Sequence, residues 1–404
     1  MLSRLSWFLY SIGTLLIGAL TLRGPIGLTF SDLFFAGAIA FALTDAIANH
    51  SLPNFVPTRT AILGALLFTA GGVIASMFSN HRLSSFGELV RLDYVMIVWV
   101  WCTPFILRSV SMVRTQMRLW SISAAATSAF ALIQVLSGHF IPSGATGSGR
   151  MTGLTQHVTD LGGVTAIALV PSLMFAVTAK ATPFERGIAV TIATLVSIGL
   201  VLSGSVTGLI AAAVGFVIWA IVARRSKELL AIAAVLLIAV AGTSVVQVLR
   251  HAQPPVVRVA EVLGLGGPDR RAFTTTYRTR LSTDLAAVES IIHSPLVGAG
   301  LDNASAQDRL NSLVHNIYLE AGVGAGILGL IGAILITLAP LDGDMRRLLR
   351  DPSTGTVMAP LVGAAAAFLV FGMADPILLA RYAWFPLALI VAVRRTAPSV
   401  TAAA

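Results

Sequence analysis

His315 and Asn316 stand at the start of an apolar stretch, in the run "VHNIYLEAGVGAGILG". Histidine titrates closer to neutral pH than any other side chain, so His315 is the best candidate for a general base. Asn316 could orient the imidazole or hold a hydroxyl group of a substrate. An unpaired polar group at this place is costly unless it faces water, which favours a functional position. The alternative interpretation is that the two residues only cap a helix.

A basic segment precedes this stretch, and its charge is carried by arginine alone. Between positions 250 and 280 six arginines face only two acidic residues. The six are Arg250, Arg258, Arg270, Arg271, Arg278 and Arg280. A guanidinium offers a planar fork of donors that suits two oxygens of a phosphate. We expect Arg278 and Arg280 to bind an anionic ligand, with Arg150 from a glycine-rich loop assisting. The alternative is a solvated basic loop that meets anionic lipid.

An amphipathic helix is predicted between the arginines and the histidine. In "STDLAAVESIIHSPLVGAG" the apolar residues Leu285, Val288, Ile291 and Ile292 recur at helical spacing. Ser282 is the predicted N-cap. The segment "SPLVGAG" ends the helix at its proline and turns the chain at its two glycines. We expect this helix to lie on or near a membrane face.

The composition requires a membrane for these elements. The chain has 404 residues, of which 56% are hydrophobic and 11% charged, and its mean hydropathy is +0.86. Average soluble proteins are about one quarter charged. Repeated apolar runs of about 18 residues or more are typical of membrane-spanning helices. We predict an all-α integral membrane protein, a single polytopic domain over residues 1–404 with about twelve transmembrane helices.

The predicted spans share an apolar run with few charges. They are Leu5–Leu22, Asp32–Ala48, Thr60–Phe78, Tyr94–Leu107, Trp120–Leu136, Leu161–Ala179, Gly187–Leu202, Ser205–Val222, Leu229–Leu249, Ile317–Leu338, Val357–Ala374 and Ile377–Val393. Short hinges at Ser203–Gly204 and Asp375–Pro376 separate two of the pairs. Small residues let helices approach closely in membranes, so Gly322 and Gly326 predict tight packing of the tenth span.

The loop charges predict the orientation. With a cytoplasmic N-terminus, fifteen basic residues fall in cytoplasmic segments and four, at 23, 82, 91 and 150, in short outer loops. Both termini are then cytoplasmic, and the long loop 250–314 between spans nine and ten is extracytoplasmic. Membrane lipids are expected partners. Nucleic acid is excluded as a partner, because the charge is spread along the loops and no nucleic-acid motif occurs.

Three segments together carry a resemblance to a known family. The first is His315–Asn316 followed by nine residues and "GILG". The second is "RLSTDLAAVESIIHSPLVGAGL", in which an arginine precedes an amphipathic helix that ends in Pro-x-x-Gly-x-Gly. The third is "RMTGLTQHVTDLGG", which precedes the sixth span. These segments resemble the O-antigen ligase and O-antigen polymerase superfamily of membrane glycosyltransferases. The twelve spans and the long outer loop are similar to that family as well.

The resemblance implies transfer of a glycan from a polyprenyl diphosphate carrier, such as undecaprenyl diphosphate, to the hydroxyl of a lipid or glycolipid acceptor. It implies a site at the periplasmic or exterior face of a bacterial inner membrane. The implied catalytic residues are His315 and Arg280, and the implied substrate-binding residues are Arg278, Arg150, Asn316 and His157. No cofactor is expected. No metal is expected either, because the outer loops contain no Asp-x-Asp pair and no tight His/Asp/Glu cluster.

Two positions depart from the family pattern. Asp284 stands where a tryptophan is usual, and Val206 stands where an arginine usually follows Ser-x-Ser. Arg150 is the residue expected to replace the missing charge. The alternatives are a polymerase that joins repeat units, a lipid-linked sugar transporter and an inactive scaffold. A transporter would predict inverted repeats and charges near mid-membrane, and the spans hold few such charges.

Overall fold

The structure is a computed structural model that describes residues 1–22, 28–50, 57–137, 150–177, 182–224, 271–343 and 345–396, without the side chains of 177 and 271–277. The described residues form helices joined by turns, with no β-strand among them. This confirms the predicted all-α class. The predicted ninth span, Leu229–Leu249, and the arginines Arg250, Arg258 and Arg270 lie outside the described residues. So do four residues used to predict the orientation: Lys180, Arg225 and Lys227, predicted to be cytoplasmic, and Arg23, predicted to lie in a short outer loop.

Fifteen α-helices are numbered here in chain order over the described residues. They are α1 (Leu2–Leu16), α2 (Phe30–Ala48), α3 (Arg59–Phe78), α4 (Arg82–Asp93), α5 (Val100–Ile106), α6 (Val110–Ser137), α7 (Val158–Val177), α8 (Pro183–Ser203), α9 (Val206–Ala223), α10 (Arg271–His293), α11 (Asn303–Leu310), α12 (Ile317–Leu338), α13 (Met345–Arg350), α14 (Pro352–Gly372) and α15 (Arg381–Thr396). A π-helical segment, Tyr94–Trp99, joins α4 to α5.

Nine helical stretches of the described chain are long and apolar enough to cross a membrane. This confirms a helical membrane protein, but it does not confirm the count of twelve spans. Helices α1 and α15 have 15 and 16 residues, shorter than the roughly 20 residues that a bilayer requires. The hinge at Ser203–Gly204 is confirmed, because α8 ends at Ser203 and Gly204 takes a left-handed conformation with φ 58°.

Several predicted boundaries were wrong. Helix α6 begins at Val110 rather than Trp120, and residues 373–380, rather than a short hinge at Asp375–Pro376, separate α14 from α15. The first span was expected to reach Leu22, but α1 ends at Leu16 because the backbone of Gly18 is bonded to α6. Its amide donates to Ser123 Oγ at 3.1 Å, and its carbonyl accepts from Thr127 Oγ1 at 3.2 Å. Arg91 was expected in a short outer loop. It lies instead on α4, paired with Glu88 at 2.6 Å, because the helix starts a full three turns earlier than the apolar run indicates.

Close packing of α3 against α12 holds the helix that follows His315. A Cβ added to Gly332 would lie 2.5 Å from the amide nitrogen of Phe68, and one added to Gly71 would lie 2.6 Å from the carbonyl oxygen of Ala325. Real Cβ atoms do not come so near to backbone. The two helices therefore touch main chain to main chain, and larger residues would force them apart.

Candidate active site at the ends of α10 and α12

Helix α10 carries Arg280, whose charge acts on His315, and it is longer than predicted. It begins at Arg271, so Ser282 is not its N-cap: the Ser282 hydroxyl donates to the Thr279 carbonyl at 2.8 Å within the helix. The apolar pattern starts only at Leu285, and the preceding turns, which have no such pattern, are helical as well. The helix ends at His293, two residues before Pro295, as the sequence predicts. Of the four predicted apolar residues only Ile291 is buried, whereas Leu285, Val288 and Ile292 are exposed, so contact of this helix with a membrane stays a prediction.

The turn after α10 is bonded to α12 through main-chain atoms. Three hydrogen bonds join Ala299 N to Val323 O at 2.7 Å, Gly300 N to Gly324 O at 3.0 Å, and Ile327 N to Pro295 O at 2.7 Å. We call these three bonds the backbone joint. Because it links the end of α10 to the first turns of α12, it fixes the position of one helix relative to the other. Arg280 lies on the first and His315 immediately before the second.

Gly326 lies at a break in α12 inside this joint. Its φ of +67° and ψ of −165° are not helical, and residues with a side chain rarely adopt such a φ. A Cβ there would also lie 2.6 Å from the carbonyl oxygen of Pro295. The predicted tight packing is confirmed. The sequence reading assumed an unbroken helix, however, and the structure shows that the glycine also permits the break.

His315 is half-buried beside the N-cap of α12. Its Nδ1 atom is buried and has no hydrogen-bond partner among the described residues. Burial lowers the pKa of the imidazole below its ordinary value, and Arg280 lowers it further, while the Leu313 carbonyl and Asp284 act in the opposite direction. The ring is therefore neutral at pH 7. A neutral imidazole with a nitrogen not engaged in a hydrogen bond can accept a proton.

Arg280 connects α10 to the loop between α14 and α15. Its guanidinium donates to the Ala374 carbonyl at 2.9 Å and contacts the Asp375 carboxylate at 3.5 Å. Asp375 is 2% exposed. Burial raises the pKa of Asp375 to about 7 although Arg280 lowers it, with Asp160 raising it and Arg150 lowering it. The carboxyl group is therefore close to half-protonated at neutral pH, and its negative charge holds Arg280 incompletely.

Asp284 lies one helical turn after Arg280 on the same face of α10. Its Oδ1 atom is buried without a hydrogen-bond partner among the described residues. Burial raises the pKa of Asp284, while His315 and Arg280 lower it. The imidazole, the guanidinium and two carboxyl groups thus form one cluster, which we call the His315 cluster: His315, Arg280, Asp284 and Asp375.

Arg150 reaches the same region from the junction of α8 and α9. Its Nε donates to the Ser203 carbonyl at 2.7 Å, and its charge acts on Asp375. Val206 opens α9 three residues after Ser203. Arg150 therefore brings a guanidinium to the junction where the family pattern would have placed one.

Three other predicted substrate-binding residues take different positions. Asn316 is the N-cap of α12, and its side-chain oxygen accepts from Tyr318 N at 3.0 Å and Leu319 N at 3.3 Å. Arg278 is exposed, and two residues along a helix turn its side chain about 200° away from Arg280. The His157 side chain is exposed just before α7, and the nearby group that acts on Asp375 is Asp160. The structure does not bring these three into the His315 cluster.

A family model described as O-antigen ligase matches residues 191–334. The match covers 144 of the 404 residues and supports similarity to the O-antigen ligase superfamily. The resemblance drawn from the sequence is thereby confirmed. No curated protein matches the chain.

The O-antigen ligase match spans the elements that build the site. It begins within α8, includes α9, α10 and the turn after it, and ends within α12. It contains three members of the His315 cluster, Arg280, Asp284 and His315. Arg150 and Asp375 lie outside the matched range and join the site only through the fold.

Two members of the cluster were missed as functional residues by the sequence reading. Asp284 was noted as a departure from the family pattern, although its four-residue step from Arg280 is a signal for a shared helix face. Asp375 was read as part of a hinge. Its only signal is an acid between two apolar runs, which is costly unless the group is used or paired. Within the described residues no group of three or more His, Cys, Asp or Glu side chains could hold a metal ion.

Proposed function

We propose that this O-antigen ligase-like membrane glycosyltransferase moves a glycan from a polyprenyl diphosphate carrier to an acceptor hydroxyl. The observation that supports it most directly is the juxtaposition of Arg280 and a neutral His315 across the backbone joint. A transfer of this kind needs a cation for the departing diphosphate and a base for the acceptor proton. The two requirements match the two groups that the fold holds together.

Arg280 and Arg150 receive the diphosphate in this proposal. Arg280 is 29% exposed, so its guanidinium can exchange Ala374 and Asp375 for phosphate oxygens. Protonation of Asp375, whose pKa is about 7, removes the competing negative charge. Two guanidiniums then neutralise the charge that grows on the diphosphate as it leaves, a task that elsewhere falls to a divalent ion.

His315 takes the proton in the bond-forming step. The acceptor oxygen attacks the anomeric carbon, the bond from that carbon to the diphosphate oxygen breaks, and the electron pair leaves with the diphosphate. The acceptor proton passes to the imidazole. Asp284 stabilises the imidazolium, because its carboxyl group lies close enough to act on His315. A neutral base in the resting protein is ready for this role at pH 7.

The sidedness is part of the proposal. With cytoplasmic termini, the His315 cluster faces the periplasm or exterior of a bacterial inner membrane, where carrier-linked glycans are used. Positive loops on the cytoplasmic side support this orientation. Side-specific labelling of cysteine introduced at Ser282 and at Arg224 tests it, since we expect only the first to react from outside.

The decisive experiment compares His315→Gln with His293→Gln. The purified protein in vesicles receives a defined polyprenyl diphosphate-linked glycan and a glycolipid acceptor, and product is measured over time. We expect His315→Gln to lower turnover about 10²–10⁴-fold. His293 is exposed at the end of α10, and its Nδ1 contacts the Glu289 carbonyl at 2.9 Å, so its replacement should change turnover little.

Equal turnover of the two histidine variants would rule out His315 as the base. Absence of any product with the unaltered protein, across carrier-linked donors, would reject the proposed transfer itself. Release of the glycan to water without an acceptor would keep the donor assignment and reject the acceptor.

A further inference from the structure

A second group of charged side chains lies at the same end of the bundle, separate from the His315 cluster. It comprises Asp32 on α2, Glu88 and Arg91 on α4, Glu320 on α12 and Arg381 on α15; we call it the five-charge cluster. Glu320 is one turn beyond the N-cap of α12, and its amide donates to the Asn316 carbonyl at 2.8 Å. Arg381 opens α15, six residues after Asp375. The charges act on one another, Arg381 on Glu88 and Glu88 on Glu320.

The inner part of this cluster contains a buried ion pair, and one N–H donor of its arginine lacks a hydrogen-bond acceptor among the described residues. Arg381 and Asp32 are 5% and 2% exposed, and the Arg381 Nε contacts an Asp32 oxygen. Arg381 Nη1 donates to the Leu379 carbonyl at 2.9 Å. Its Nη2 is buried and has no hydrogen-bond partner among the described residues. A buried guanidinium N–H without a partner is costly, so this atom requires an acceptor.

The other part of the cluster is accessible. Glu88 and Arg91 pair at 2.6 Å, with side chains 20% and 30% exposed. Between the two parts, Glu320 Oε2 is buried without a hydrogen-bond partner in the described structure. The cluster therefore combines an unsatisfied donor, an unsatisfied acceptor and a partly open charged pair.

We infer that the five-charge cluster binds the sugar hydroxyls of the acceptor, an inference that rests on the proposed glycosyl transfer. Both guanidiniums are already paired, Arg381 with Asp32 and Arg91 with Glu88, which disfavours a diphosphate. A sugar hydroxyl both donates and accepts, so neighbouring hydroxyls of a neutral sugar can satisfy Glu320 and Arg381 together. The acceptor oxygen must also approach the anomeric carbon from the face opposite the departing diphosphate, away from Arg280. Placing the acceptor beside the first turn of α12 brings its hydroxyl towards His315.

Glu88→Gln and Glu320→Gln test this inference in vesicles holding the full chain. Glutamine keeps the size of the side chain but replaces one carboxyl oxygen with an amide NH2, which donates and cannot accept. We expect the KM for the glycolipid acceptor to rise about tenfold to a hundredfold, with the KM for the carrier-linked donor unchanged. Asp93→Asn is the matched control. Asp93 ends α4 and accepts from the Thr69 hydroxyl at 3.0 and 3.1 Å. The single carbonyl oxygen of asparagine can keep one of these bonds, and both KM values should remain unchanged.

A binding measurement separates this inference from the proposed transfer. The purified protein is titrated with a neutral diglycosyl diacylglycerol and, in parallel, with phosphatidate. Glu88→Gln and Glu320→Gln should weaken binding of the neutral glycolipid alone, whether or not the protein transfers any glycan.

Three results would overturn the inference. They are unchanged glycolipid binding in both variants, an equal rise of the donor and acceptor KM values, and loss of folded protein in both variants. The last would show that the cluster only holds the helices together. Because Glu88 is partly exposed, its glutamine variant should fold.

Discussion

The free energy of unfolding of Asp375→Asn, measured relative to that of the unaltered chain, should increase as the pH rises. The carboxyl group is 2% exposed, and burial raises its pKa from an ordinary value near 3.9 to about 7. Between pH 5 and pH 7 the group is ionised in the unfolded chain and largely protonated in the folded one. The unaltered protein therefore loses up to about 1.4 kcal/mol of stability per pH unit there, or roughly 2 kcal/mol in total, because the slope falls as the folded-state carboxyl group ionises near pH 7. Asparagine does not titrate, and it can still accept from Arg280.

The measurement is unfolding in detergent at several pH values, with the difference between variant and parent plotted against pH. That difference should rise from pH 5 and level off above pH 7. Asp351→Asn is the control. Hydrogen bonds from Ser353 lower the pKa of Asp351, so its contribution is fully present above its unfolded pKa and is lost only in more acidic solution. A flat difference for Asp375→Asn over pH 5–8 would refute the linkage argument.

Four further outcomes are expected. Arg280→Lys should transfer glycan at least about tenfold more slowly, because a point charge replaces the bidentate fork of the guanidinium. Arg309→Lys, on exposed α11, should transfer at a near-normal rate. Equal rates for the two variants would reject the role of Arg280 in binding the diphosphate. In a thermal assay, Gly326→Ala should lower stability by roughly 2–4 kcal/mol, because the added Cβ strains the backbone and clashes. Gly87 is exposed on α4 with open space around it, so Gly87→Ala should raise stability by about 0.5–1 kcal/mol. The rate should fall in acid as His315 is protonated, at a pH below the ordinary histidine value, and a midpoint above that value would contradict the burial argument. Transfer should persist in excess EDTA, and loss of activity that a divalent cation restores would show that the arginines do not replace a metal.

The part of the site that lies along one continuous segment was readable from the sequence. Arg280 and His315 flank a helix and a proline–glycine turn, so their proximity follows from local patterns and a resemblance. Asp375 and Arg150 could not be found in this way. Asp375 comes close to Arg280 because the loop between α14 and α15 contacts α10. Arg150 comes close because the chain before α7 contacts the junction of α8 and α9.

The fold was predictable in class and less so in its boundaries. Apolar runs show which residues contact lipid or the protein core, but they do not show where a helix begins. Arg82, Glu88 and Arg91 are helical residues of α4 although they are charged. The sequence does not predict the break at Gly326, because the same glycine spacing is compatible with tight helix packing and with a break in the helix. Interatomic contacts across the chain, such as Gly18 with α6, decide where a helix stops.

The break at Gly326 divides α12 into two rods that belong to different parts of the molecule. The short rod from Ile317 to Ala325 is bonded to the turn after α10 at Val323 and Gly324. The longer rod is bonded to that turn only at its first residue, Ile327, and packs further along against α3 at Gly332. Membranes of different thickness tilt the helices that cross them. The break can absorb such a tilt in the longer rod before it reaches the shorter one. His315 and Arg280 should therefore keep their spacing when the bilayer thickens or thins, and glycan transfer should vary little with the acyl-chain length of the surrounding lipid.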